Sequence, residues 1–125
     1  MTLRIQDPSN PNSEYLVDTL VEACNGARAG GGAFAFLSAG GVQLLLRDED
    51  FLRFLEASTF RLLIGADAIT DTSAVAALTA VSTNYPNLSA RVFLPNHPRS
   101  IFHPKLAWFD YGEGGVLVTG SGNLT

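Results

Sequence analysis

One cysteine, one lysine and one tryptophan stand among 125 residues, and only 16% of positions carry a charged side chain. The lone Cys24 excludes an internal disulfide and a cysteine-rich zinc site, and it agrees with a reducing, cytoplasmic setting. No apolar run nears the 18 or so residues of a membrane-spanning helix, and Met1 to Asn10 lacks the basic-then-apolar order of a signal peptide, so no membrane partner is expected. Bases are scarce as well, eight against twelve acids for a net charge of −4. That balance excludes a protein that coats DNA non-specifically, but not a nuclease with a local basic site. Apolar residues are abundant at 46%. With so few charges, residues 1–125 are expected to fold as one domain around a large core rather than stay disordered.

The charge is uneven. Residues 1 to 90 hold five bases and ten acids, while residues 91 to 125 hold Arg91, Arg99 and Lys105 against Asp110 and Glu113. Attraction for an anion is therefore concentrated late in the chain.

Short apolar runs alternate with segments of helical period, the pattern of βαβ units around a largely parallel sheet. Leu3 to Ile5 reads as a first strand, and the turn-rich Asp7 to Asn12 leads into a helix from about Ser13 that places Leu16, Leu20 and Ala23 on one face. Ala33 to Leu37 is apolar throughout, as a strand covered on both faces would be, with Gly30, Gly31 and Gly32 delivering the chain into it. A second helical region opens at Gly40-Gly41 and carries Val42 to Leu46, then Phe51, Leu52, Phe54 and Leu55. The acids Asp48, Glu49 and Asp50 between them read as solvated residues at a helix start. Phe60 to Ile64 is the next strand, Asp71 to Ser73 a helix cap, and Ala74, Val75, Leu78 and Val81 mark a third helix. Arg91 to Leu94 reads as a strand. Lys105 to Phe109 and Val116 to Thr119 then form an antiparallel hairpin, since no helical segment separates them. The expectation is an α/β fold: a mixed sheet with three βαβ crossovers, a C-terminal hairpin and helices on both faces. With no closing helix before Thr125, the domain is expected to be truncated at its C-terminal end.

His103 stands two residues before the only lysine, Lys105, so in a strand both side chains share a face. Asp110 follows five residues later, with the opposite parity. The hairpin's return strand ends in Gly120-Ser121-Gly122-Asn123, which brings a hydroxyl and an amide beside the first pair. Such a set suits a phosphate: an imidazole nitrogen attacks phosphorus, an ammonium and an amide hold the non-bridging oxygens, and glycines admit close backbone approach. No metal or other cofactor is required by it. His97, in Pro95-Asn96-His97-Pro98, has no lysine two places on and reads as an exposed loop residue. Cys24 reads as an inert buried thiol. Trp108, Phe109 and Phe102 read as core residues that could also border the site.

The run His103-Pro104-Lys105-Leu106-Ala107-Trp108-Phe109-Asp110 resembles the His-x-Lys-x4-Asp motif of the phospholipase D superfamily, and Gly120-Ser121-Gly122-Asn123 its trailing Gly-Ser-x-Asn. The ending Ser121-Gly122-Asn123-Leu124-Thr125 is most similar to the nuclease-like, restriction-endonuclease-like branch. The resemblance implies a phospholipase D-like half-domain and a metal-independent phosphodiesterase acting on nucleic acid. It makes His103 the nucleophile that forms a phosphohistidine, Lys105 and Asn123 the phosphate clamps, and Ser121 a hydrogen-bonding support. Gly120, Gly122 and Arg99 are candidate substrate contacts. Asp110, by its parity, reads as a structural residue at the hairpin corner. The family's leaving-group acid is the histidine of a second motif, so a homodimer or a second motif beyond Thr125 is expected to complete the site. The carboxylate that orients the nucleophile lies, in that family, downstream of Gly-Ser-x-Asn. Three other readings stay open: a metal-dependent hydrolase using Asp67 and Asp71, a non-catalytic phosphate-binding or dimerisation module, and a phospholipid-directed enzyme.

Overall fold

The computed structural model describes residues 1–5, 7, 9–11, 15–66, 72–94, 96–97 and 101–121. Within these, helix α1 spans Leu16–Cys24 and is followed by strand β1 at Ala29–Phe34. Helices α2 (Ala39–Leu46) and α3 (Glu49–Ala57) lead to β2 (Thr59–Gly65), and α4 (Thr72–Asn84) leads to β3 (Leu88–Phe93). The chain closes with β4 (Lys105–Asp110) and β5 (Gly115–Thr119). The sheet runs β3-β2-β1-β4-β5. β1 pairs in parallel with β2 and β2 with β3, whereas β4 lies antiparallel to both β1 and β5. The molecule is an α/β protein with a five-stranded mixed sheet.

Local chemistry sets the helix ends. Ser38 caps α2 by accepting from the Gly41 amide at 3.0 Å. Asp48 caps α3 by accepting from the amides of Asp50 (2.9 Å) and Phe51 (3.2 Å), and Glu49 and Asp50 sit in the first turn, where the helix dipole favours them. The acids expected at a helix start thus split one helical region into two. Gly26, at φ 78°, turns the chain out of α1 in a conformation open to glycine.

Four sequence expectations give way. Leu3 to Ile5 forms no strand and is exposed, although β3 and β5 each leave one edge unpaired; so short a segment gains little from pairing. Without that strand there are two parallel crossovers, not three. The central strand is Ala29–Phe34 rather than Ala33 to Leu37, and its glycines lie inside the sheet because their neighbours occupy the space of a side chain. A Cβ on Gly30 would lie 2.8 Å from the Phe109 ring, and one on Gly31 would lie 2.8 Å from the Trp108 indole nitrogen and 2.9 Å from the Arg61 carbonyl oxygen. β3 also begins earlier than Arg91, at Leu88.

The fourth correction concerns the layers. Among the described residues the helices do not cover both faces; they form one layer, α2 against α4, α1 against α2 and α3, and α2 against α3. Paired positions such as Gly30, Phe60, Leu88 and Phe109 share one side of the sheet, and Phe34, Phe60, Leu62, Ile64, Leu88, Ala107 and Phe109 form one core with all four helices. The steps β1 to β2 to β3 go in one direction, and successive crossovers of the same hand then lay their helices on the same side. Covering the second face requires a step the other way, and there the chain supplies the helix-free hairpin instead. Phe51, Phe54, Phe60 and Phe109 meet in that core at centroid separations of 5.2 to 6.2 Å. No helix among the described residues is long and apolar enough to cross a membrane.

Candidate functional site

β4 begins where β1 ends, Lys105 opposite Phe34. Its first residues therefore lie at the carboxyl edge of the parallel strands, the edge at which α/β proteins commonly place ligands. The Ala35 amide donates to the Pro104 carbonyl at 2.9 Å and ties the approach segment to the chain leaving β1. This pins His103 and Lys105 one on each side of a held proline.

The two side chains meet. The Lys105 ammonium donates to His103 Nδ1, and its Nζ also lies 3.3 Å from the His103 carbonyl oxygen. The imidazole stands edge-on to Phe36, with centroids 5.7 Å apart and planes at 89°. His103 is exposed and Lys105 half-buried, so an incoming anion meets both without displacing the core. Because Nδ1 accepts from the lysine, the neutral ring carries its proton on Nε2. Neither nitrogen then offers a free lone pair. Drawing the ammonium away would release Nδ1 and let the ring exchange tautomers, leaving a lone pair on Nε2.

The return strand comes alongside. The Gly120 amide donates to the Lys105 carbonyl at 3.3 Å, and Ser121, exposed, follows directly. Asn123, Gly122 and Arg99 lie outside the described residues, as do Asp67 and Asp71. His97 is an exposed residue, as its loop sequence suggests.

Asp110 is not brought to the pair. It ends β4 opposite Ala29, so the length of a six-residue strand, about 17 Å, separates it from Lys105. There its Oδ1 accepts from the Gly112 amide at 2.8 Å and its Oδ2 from Arg28 Nε at 3.3 Å. The Gly112 amide first, and then Arg28, hold its carboxyl below the usual range. Gly112 takes φ 94°, which completes the hairpin corner.

The aromatic residues divide. Phe109 is core, Phe102 stacks on Phe93 at 4.5 Å, and Trp108 lies on the face without helices. Phe36 was missed as a site neighbour because it follows the strand in an apolar run that reads as core. Cys24 is 1% exposed, its thiol donates to the Val21 carbonyl at 3.0 Å, and burial, aided by Asp48 and Asp50, pushes it up to about 11. Among the described residues no group of three His, Cys, Asp or Glu side chains is placed to hold a metal ion. Against known proteins, the chain matches no family model and no curated sequence.

Proposed function

We propose that the chain is a phosphodiesterase of the phospholipase D type, a nuclease that cleaves nucleic-acid phosphodiester bonds without a metal, through a phosphohistidine on His103. The observation that carries this reading is the direct contact of Lys105 with His103 at the carboxyl edge of the sheet, with Gly120 hydrogen-bonded alongside. A lone lysine spent on a histidine makes little sense as a structural ion pair. It makes sense as a device that a phosphate switches. The substrate's non-bridging oxygens draw the ammonium, Nε2 attacks phosphorus, a nitrogen–phosphorus bond forms and the phosphorus–oxygen bond to the leaving group breaks. The departing oxygen takes a proton from a second acid, for which His103 of a second copy or of a second motif is the candidate. Water then hydrolyses the phosphohistidine. Asn123 and Ser121 join Lys105 in holding the phosphoryl oxygens.

One observation favours a second reading. Among the described residues the groups that hold the His103 ring are Lys105 and Phe36, a cation and an aromatic edge rather than a carboxylate. The same pair would then bind phosphate without turnover.

Cleavage of DNA and of a chromogenic phosphodiester in excess EDTA, with His103→Ala and Lys105→Ala beside the natural chain, separates the two. Turnover lost in both variants, with an acid-labile phosphoryl adduct trapped only when His103 is present, supports the enzyme. Phosphate-dependent binding with no turnover in the natural chain supports the second reading and removes the first.

A further inference from the structure

The face that the helices leave open has its own composition. Crossing the sheet in register, one row reads Ser89, Arg61, Gly31, Trp108 and Leu117, and the next Arg91, Leu63, Ala33, Leu106 and Thr119. Arg61 and Arg91 are exposed, and neither makes an ion pair with a described residue. Asp110 is the only carboxylate at a strand position on this face, and Arg28 already engages it at 3.3 Å. Among the described residues, therefore, these two cations have no acidic partner, on a chain whose net charge is −4. A depression of about 540 Å³ lies between them, lined by Thr59, Arg61, Leu63, Ser89 and Arg91 among others.

Beside it stands the chain's only tryptophan. The Trp108 indole lies over the bare backbone of Gly31, close enough that a Cβ there would fall 2.8 Å from its nitrogen, and the residue remains 40% exposed. The missing side chain at Gly31 lets the nitrogen edge of the indole come close to the sheet while the residue stays open to solvent. Trp108 lies two strands from Arg61 in the same row, about 10 Å at ordinary strand spacing, and three strands and one row from Arg91, about 16 Å.

We propose that this open sheet face binds single-stranded nucleic acid, with a base stacked on Trp108 and the backbone phosphates of the following nucleotides on Arg61 and Arg91. An aromatic platform with flanking cations is the arrangement that holds single strands with little sequence preference. Self-association through the same face would set the unneutralised arginines of two copies against each other. A paired duplex keeps its bases stacked and cannot offer one to the indole. The proposal is independent of the phosphodiesterase reading, since it uses neither His103 nor Lys105.

The test is titration of the His103→Ala chain, in which cleavage cannot obscure binding, with an oligothymidylate of about 15 nucleotides at low salt, following the emission of Trp108. Saturable quenching is expected, much weaker with a duplex of the same length. Arg61→Ala with Arg91→Ala should weaken binding at least about tenfold and flatten the salt dependence by about 1.4 in log–log slope, two phosphate contacts' worth. Trp108→Ala, read by the anisotropy of a dye-labelled oligonucleotide, should lose about tenfold. Circular dichroism unchanged in each variant keeps folding out of the comparison. Three results overturn the proposal: no quenching, equal quenching by polyglutamate or by duplex, or emission that shifts with protein concentration alone, which would make the face a contact between copies. Loss of turnover in His103→Ala with oligonucleotide binding retained separates the two sites.

Discussion

The two faces of the sheet are woven from alternate residues of the same five strands and meet opposite fates. On one, Phe60, Leu62, Ile64, Ala107 and Phe109 are each 2% exposed or less beneath four helices. On the other, Thr59, Arg61, Ser89, Arg91 and Leu117 face outward, and the strand residues most nearly buried there, such as Gly31, owe it to neighbours in the sheet. Burial, not strand propensity, separates them. The covered face therefore carries the stability, and the open one is left to carry recognition.

Substitutions can break or sharpen that division. Phe109→Ala removes a ring that touches Phe54 and Phe60, and should cost about 3–5 kcal/mol in urea unfolding; a loss near zero would mean that the helices do not hold the covered face. Gly31→Ala should cost about 1–3 kcal/mol, because the new methyl meets both an indole and a backbone oxygen. Adding Trp108→Ala should recover only part of that, since the Arg61 carbonyl stays at 2.9 Å and cannot withdraw without bending the sheet.

A smaller effect comes from Cys24 under the helices. Burial pushes its folded thiol up to about 11, whereas an unfolded thiol ionises at about 8.5, so between those values the folded chain keeps a proton that the unfolded chain loses. Its contribution is complete below the lower value and disappears as pH rises toward the upper one. Urea midpoints should fall across that window in the natural chain and fall less in Cys24→Ala. A thiol reagent at neutral pH should leave Cys24 untouched until urea is added. Least of all, Leu117→Ala, 68% exposed on the open face, should change stability by under about 0.5 kcal/mol.

Much of this arrangement is legible in the sequence. The hairpin follows from the absence of a helical period between Lys105 and Thr119, whereas His103 meets Lys105 from the segment just before β4 rather than from within the strand that a spacing of two suggests. The covered side of β2 can be read from Phe60, Leu62 and Ile64. What cannot be read is which faces of the sheet are covered. That depends on the direction in which each crossover steps, a property of pairing between distant strands rather than of any local run. The glycines at 30 to 32 mislead for a related reason. In isolation they signal a loop, and it takes the rings of Phe109 and Trp108, brought from far along the chain, together with that of Phe34, to fill the space above them. Trp108 and Phe109 are adjacent and both aromatic, yet strand parity sends them to opposite faces. The contact that occupies His103 Nδ1 is a matter of side-chain geometry and leaves no mark in the spacing.

The pairing of β1 with β4 also bears on how the chain reaches its fold. Arg28 and Asp110, which close that ladder, are 82 residues apart, so the central strand's second edge waits for a strand made long after it. Folding that must close so long a loop is slow, and an open edge in the meantime invites pairing with other chains. Here the waiting edge is Ala-Gly-Gly-Gly-Ala-Phe. Glycines offer a stray strand neither side-chain contacts nor a rigid template, so the residues that later admit Phe109 and Trp108 also make the unfinished sheet a poor seed for aggregation.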